Sequence, residues 1–129
     1  MKIVISSNSC YELPFEVINK YFELSGMGKP YFYEQKGFDY ILVQIPTTDY
    51  FIVSKKYIGK ETKDNDLFKE DVFFDANEIK RNDINLVESV EELKPIDLKV
   101  VEIPDDVDWY IYESESGSES IHESHRVWF

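Results

Sequence analysis

Short apolar runs separated by turn residues constrain the fold of this chain more than any other feature of its sequence. The runs are rich in β-branched and aromatic side chains, a pattern typical of β-strands. They predict strands at residues 2–6, 31–34, 40–45, 50–54, 72–74 and 98–103. Because three of these runs follow one another directly between residues 31 and 54, we expect them to pair as an antiparallel meander.

Two segments instead carry apolar residues at helical spacing. In the first, the spaced residues are Phe15, Ile18 and Phe22, and the segment opens at a Leu13-Pro14 pair. In the second, they are Leu86, Val90 and Leu93, which we expect to be buried together, with Asn82 or Asp83 as the helix cap. Residues 55–71 are charged and only weakly periodic, which predicts an exposed loop or a frayed element.

The last predicted element is a β-hairpin whose arms are residues 109–113 and 121–128. This hairpin would place Trp109 and Trp128 on neighbouring antiparallel strands joined near Gly117. The chain has 129 residues and no segment that reads as a linker, so we expect one domain, residues 1–129. The predicted fold class is α+β: a mainly antiparallel sheet with two packed helices and a C-terminal β-hairpin.

Negative charge is concentrated toward the C-terminus. The whole chain has a formal net charge of −12, and residues 102–129 hold eight acidic residues against one basic residue, Arg126. Residues 1–60 are close to neutral and carry 12 of the aromatic residues. A sequence pI near 4.5 argues against direct nucleic-acid binding and against an anionic membrane surface, since both need positive charge.

Cysteine content and hydropathy restrict the class further. Cys10 is the single cysteine, so we expect no internal disulfide and an inert, buried thiol. No apolar run approaches the ~20 residues of a membrane span, and the apolar start is too short for a signal peptide. These features predict a soluble, intracellular protein with no cofactor and no bound metal.

Four segments resemble a family of small phage and prophage proteins without a settled function. They are the start MKIVI with Cys10 and Tyr11, the RNDINLVESVEEL of residues 81–93, the LKVVEIPDDVDW of residues 98–109, and the closing His125, Arg126, Val127 and Trp128. The resemblance covers a third to a half of the chain. It implies a viral accessory protein in the host cell cytoplasm, and it implies no reaction.

The chain departs from the family pattern at two turns. The family follows Cys-Tyr with Gly-Gly-Phe, whereas this chain has Glu12, Leu13, Pro14 and Phe15. A glycine pair would allow a ligand to approach the backbone closely, so the departure bears on any binding role of this turn. The family's Tyr-Asp-Gly hairpin turn is also replaced, by residues 113–117.

Three groups of residues are candidates for metal binding or catalysis, each with a simpler structural interpretation. His122 and His125 would share a face on a helix, but on a strand they point to opposite faces. Cys10 could act as a nucleophile with His125 as its base, if the chain ends meet. Asp105, Asp106 and Asp108 could hold a cation, although aspartates are ordinary in turns.

Arg126 is the favoured anion ligand. It is the single cation in the acidic C-terminal stretch, and on one continuous strand it would share a face with Trp128. A guanidinium beside an aromatic ring can hold a phosphate and stack a base. We predict a ligand site made of Arg126, Trp128 and Tyr11, with His125 and Arg81 as weaker members. In the alternative interpretation, Arg126 pairs with carboxylates, Trp128 packs in the core and Asp83 caps the helix after Arg81.

Three functions follow from these features. The first is a phage counter-defence protein that sequesters a small, anionic, nucleotide-like immune signal of its host, working as a homo-oligomer with no catalytic residue. The second is an acidic inhibitor that binds a host defence nuclease, such as an anti-CRISPR protein or a DNA mimic. The third is an enzyme that degrades a nucleotide signal, supported in the sequence by His125 and Cys10 alone.

Overall fold

The computed structural model describes residues 1–123, 127 and 128, which form an α+β fold with antiparallel sheets. The helices are α1 (Phe15–Ser25), α2 (Asp64–Leu67) and α3 (Ile84–Leu93). The strands are β1 (Lys2–Ser6), β2 (Tyr31–Lys36), β3 (Asp39–Val43), β4 (Ile52–Ser54), β5 (Glu61–Thr62), β6 (Phe73–Phe74), β7 (Leu98–Glu102), β8 (Tyr110–Glu113), β9 (Glu119–His122) and β10 (Val127–Trp128). The α+β class, its two main helices and its C-terminal hairpin are thereby confirmed.

The chain packs as two compact units. One unit comprises residues 1–13 and 79–129, and the other comprises residues 14–78. The expectation of a single domain stays a prediction. Within the described residues, no helix is long and apolar enough to cross a membrane.

The unit of residues 14–78 is a five-stranded sheet in the order β5-β3-β2-β4-β6. Aromatic contacts fasten α1 to one face of this sheet, since Phe15 lies edge-on to Phe32 and Phe22 lies edge-on to Phe74. The opposite face holds a core cluster of Tyr33, Leu67 and Val72. The sheet is therefore covered on both faces, which explains why the first three residues of β2, Tyr31, Phe32 and Tyr33, form an apolar run instead of alternating with polar residues.

The strand order of this sheet differs from the predicted meander. β4 pairs with β2 rather than with β3, because residues 44–51 carry the chain across to the other edge of β2. Thr47 anchors this connection by donating from its backbone N–H to the buried carboxylate of Glu34 on β2, at 2.8 Å. The predicted loop at residues 55–71 also contains the short elements β5 and α2.

The other unit is built around the antiparallel pair β1 and β7. Helix α3 packs against both strands, and the sheet β10-β9-β8 packs against them through a core cluster. The buried members of that cluster are Ile3, Ile5, Val101, Ile103 and Ile121. In α3, Leu86 and Val90 are buried as predicted, whereas Leu93 is 41% exposed. Leu93 is the last residue of the helix, so its expected burial is wrong.

In the C-terminal stretch, the described residues form three strands where two were predicted. A hairpin joins β8 to β9 around Gly117, as expected, but β10 is a separate strand that pairs with β9. Trp109 and Trp128 therefore do not lie on neighbouring strands, because β9 stands between β8 and β10. The register also puts Trp128 opposite Ile121 and Val127 opposite His122. Trp128 thus lies on the core side of the sheet, not on the side of His122.

Candidate functional site

Arg81 and Glu119 form an ion pair with two hydrogen bonds inside the unit that contains both chain ends. The two guanidinium Nη atoms donate to Glu119 Oε1 and Oε2 at 2.8 and 3.0 Å. The Glu119 side chain is only 5% exposed, and that of Arg81 is 22% exposed. Two parallel hydrogen bonds between charged groups are among the stronger polar contacts in proteins. The positive charge of Arg81 is therefore neutralised by Glu119, which lies on β9.

The same ion pair ties β1 to β9. Arg81 also donates to the carbonyl of Val4 at 3.2 Å, and Glu119 Oε1 accepts the backbone N–H of Ser6 at 2.8 Å. The backbone N–H of Val4 donates to the Arg81 carbonyl in turn. These bonds satisfy polar groups that burial would otherwise leave without partners.

Tyr11 lies under the guanidinium of Arg81. The Arg81 Cζ atom is 3.3 Å from the centroid of the Tyr11 ring, a stacked cation–π contact. Burial raises the pKa of the Tyr11 phenol to about 12, opposed by the positive charge of Arg81 and reinforced by the negative charge of Glu119. The Tyr11 hydroxyl is buried and has no hydrogen-bond partner among the described residues.

The tip of the β8–β9 hairpin lies against the loop that leaves β1. Gly117 has a φ of +91°, and a Cβ atom built on it would stand 2.6 Å from the backbone nitrogen of Cys10. Only glycine suits both this backbone conformation and this close approach. The Cys10 side chain itself is exposed, so the expectation of a buried thiol is wrong.

The face of the β8–β9 sheet that points away from the core is aromatic and partly exposed. Its members are Tyr110, Tyr112, Ser120 and His122, which we call the Tyr–His face. The His122 ring lies 5.6 Å from the ring of Tyr110 and 5.1 Å from that of Tyr112. Ser120 Oγ and His122 Nε2 form a hydrogen bond at 2.7 Å. Tyr110 and Tyr112 are 57% and 54% exposed, so the histidine lies between two accessible rings.

A cavity of about 530 Å³ adjoins this face at Tyr110. It is lined by Asp106, Val107, Asp108, Trp109, Tyr110 and Glu123. Three of the six lining residues are acidic, and residues 102–123 contain no lysine or arginine. Within the part of the chain that the structure describes, no group of three or more His, Cys, Asp or Glu residues could hold a metal ion. Among the described residues, the three acidic side chains of this lining favour a positively charged group and disfavour a phosphate.

The predicted ligand residues are only partly brought together. Tyr11 and Arg81 are in contact, but Glu119 occupies the guanidinium. Trp128 packs against the core cluster around Ile121, as in the alternative interpretation. His125 and Arg126 lie outside the described residues.

The backbone N–H groups at the start of α3, shortly after Arg81, are also bonded within the chain. Asp83 caps α3, because its carboxylate accepts the backbone N–H groups of Asn85 and Leu86. Asp105 forms an ion pair with the N-terminal amine. One of the three aspartates considered as cation ligands therefore has a partner within the chain.

Sequence reasoning missed two features of this region. The sequence does not mark Glu119 as the partner of Arg81, because the two residues are far apart in the chain. The sequence does not mark the Tyr–His face, because which residues of 109–113 and 119–122 share a face depends on the register of the hairpin. A register anchored on Gly117 would have found it.

No protein-family model, curated protein or solved structure matches this chain. The resemblance to small phage proteins therefore stays a prediction that depends on the residues quoted for it.

Proposed function

We propose that this protein acts by binding a partner protein with a positively charged surface, and that the Tyr–His face makes the contact. The main support for this proposal is that two exposed tyrosines and His122 share one sheet face, next to a cavity lined by three acidic side chains. Tyrosines are enriched at protein interfaces, and complementary charge steers a basic partner toward an acidic surface.

The basic partner fits the second of the three functions expected from the sequence. Proteins that bind DNA present basic surfaces to it, so an acidic protein can cover such a surface and compete with DNA. Together with the resemblance to phage proteins, this supports an inhibitor of a host defence nuclease. The partner class is a nucleic-acid-binding protein, recognised by its lysines and arginines.

Sequestration of a nucleotide-like signal has less support from the described residues. Arg81 is paired with Glu119, and the cavity next to Tyr110 would repel a phosphate. That function depends on Arg126 and His125, so it stays a prediction.

The proposal is tested by measuring binding to a fluorescent hexa-arginine peptide, with hexaglutamate as the control peptide. We expect hexa-arginine to bind, hexaglutamate not to bind, and affinity to fall steeply with added salt. Tyr112→Ala should weaken binding about tenfold, since aromatic anchors carry much of the energy of an interface. Tyr50→Ala is the matched control, because Tyr50 is 85% exposed in the other unit. Equal effects of the two substitutions, or no binding of hexa-arginine, would refute the proposal.

A further inference from the structure

The strand β8 is an edge strand with its outer side open to pairing. In the sheet order β10-β9-β8, β8 pairs only with β9 among the described residues. Its sequence, YIYE, contains neither proline nor lysine, the residues that commonly block pairing at an edge. The backbone groups on its outer side are therefore available to another strand.

The hairpin geometry shows which of these groups point outward. Ser114 donates its N–H to the Ser118 carbonyl, and Gly117 donates to the Ser114 carbonyl, which defines a three-residue loop with glycine in the left-handed conformation. Hydrogen-bonded pairs alternate in an antiparallel ladder, so Tyr112 bonds to Ser120. The N–H and C=O groups of the intervening residue, Glu113, then point away from β9.

Negative charge at both ends of β8 selects the strand that can add there. Asp108 lies just before the strand, and Glu113 and Glu115 lie at its far end, all three exposed. A second copy of this chain would bring the same acidic ends together and be repelled, given a net charge of −12. An extended segment with lysine or arginine near its ends is attracted instead.

We propose that the outer edge of β8 binds an extended, basic segment of the partner protein by strand addition. Backbone hydrogen bonds to the outward groups of β8 supply affinity, and the exposed rings of Tyr110 and Tyr112 contact alternate side chains of the added strand. This inference rests on the proposed function, since it specifies how the basic partner is held.

The test uses a labelled peptide of sequence Lys-Val-Thr-Val-Thr-Lys and two N-methylated versions of it. One version is methylated at alternate residues, and the other is methylated at the residues between them. N-methylation removes N–H donors without changing charge, so each version blocks one edge of the peptide. We expect one version to bind at least tenfold more weakly than the unmodified peptide, and the other to bind like it.

Two substitutions at one position provide a second test. Glu113→Pro removes both the outward N–H and the charge, whereas Glu113→Gln removes only the charge. Proline is tolerated at an edge whose N–H faces solvent, so the hairpin should persist. We expect Glu113→Pro to bind the unmodified peptide about tenfold more weakly than Glu113→Gln, with unchanged circular dichroism.

The outcomes separate this inference from the proposed function. If both methylated peptides bind like the unmodified one, strand addition is overturned and docking by charge alone remains. If no basic peptide binds, the proposed function fails as well. If sedimentation shows a dimer that Glu113→Pro abolishes, the edge binds a second copy of this chain, and the basic segment is overturned as its occupant.

Discussion

Arg81 can bind either an external anion or a carboxylate of its own chain, and its neighbours decide which. Glu119 presents both carboxylate oxygens to it, and Tyr11 covers the flat side of the guanidinium. The sequence marks Arg81 as a cation near a helix start, but it does not mark Glu119 as its partner. Only the pairing of β8 with β9 and the approach of β9 to β1 bring the two together.

Breaking this pair should cost far more stability than breaking an exposed one. Arg81→Gln leaves a carboxylate with 5% exposure without its cation, so we expect a loss of about 3 kcal/mol in the free energy of unfolding. Lys2→Gln is the matched control, because Lys2 and Glu91 are both close to half exposed, and it should cost much less stability than Arg81→Gln. Urea denaturation measures both. Equal losses would show that the Arg81 pair does not hold β9 to β1.

Tyr11 should make stability depend on pH in the alkaline range. Its pKa is raised from 10.0 to about 12 in the folded protein, so the folded state favours the neutral phenol. The resulting contribution is complete below pH 10 and is lost as the pH rises from 10 toward 12, by roughly 2–3 kcal/mol. Tyr11→Phe should remove the part of the alkaline decline that Tyr11 causes, leaving the part due to other groups with a raised pKa, such as Tyr33. Tyr50→Phe, at an exposed tyrosine, should retain the full decline. Urea unfolding of the three proteins at several alkaline pH values tests this, and parallel pH profiles would contradict it.

At the scale of elements, the local signals of the sequence predicted most helices and strands but not their pairing. Helix α1 begins after Pro14 and ends at a left-handed Gly26, and Asp83 caps α3, as residue preferences indicate. The separation of β9 from β10 was missed because residues 121–128 alternate acceptably as one strand. The position of β4 beside β2 was missed because it depends on the contact between Thr47 and Glu34.

Gly117 links a local turn to a tertiary contact, and substitution can separate the two. Gly117 and Gly28 have similar φ values, +91° and +86°, but a Cβ atom at Gly28 would meet nothing within 4 Å. Gly28→Ala should therefore cost only the strain of the left-handed conformation, about 1–2 kcal/mol. Gly117→Ala should cost about 1–3 kcal/mol more, since its Cβ would collide with the backbone at Cys10. Thermal unfolding of both variants measures the difference, and equal melting temperatures would show that the loop at Cys10 moves aside freely.

At the scale of the whole molecule, charge distinguishes the proposed binding of a basic partner from sequestration of an anionic signal. The composition shows that the protein is acidic. The structure shows where its acidic side chains lie, namely around a cavity next to the Tyr–His face. The sequence could not predict that Arg81 is neutralised within the chain, and this weakens the case for an anion site near Tyr11.

Arg126 provides the decisive comparison between the two functions. If the protein sequesters a nucleotide-like signal, Arg126→Ala should weaken its binding by about ten- to a hundredfold, since a charge-assisted contact is lost in an acidic region. Incubating the protein with extract that contains the signal, filtering it and then heating the protein should release the signal intact. If the protein binds a basic partner instead, Arg126→Ala removes a repelling charge and should leave hexa-arginine binding unchanged or tighter. Depletion of the signal by the wild type but not by Arg126→Ala would therefore favour sequestration over the function proposed above.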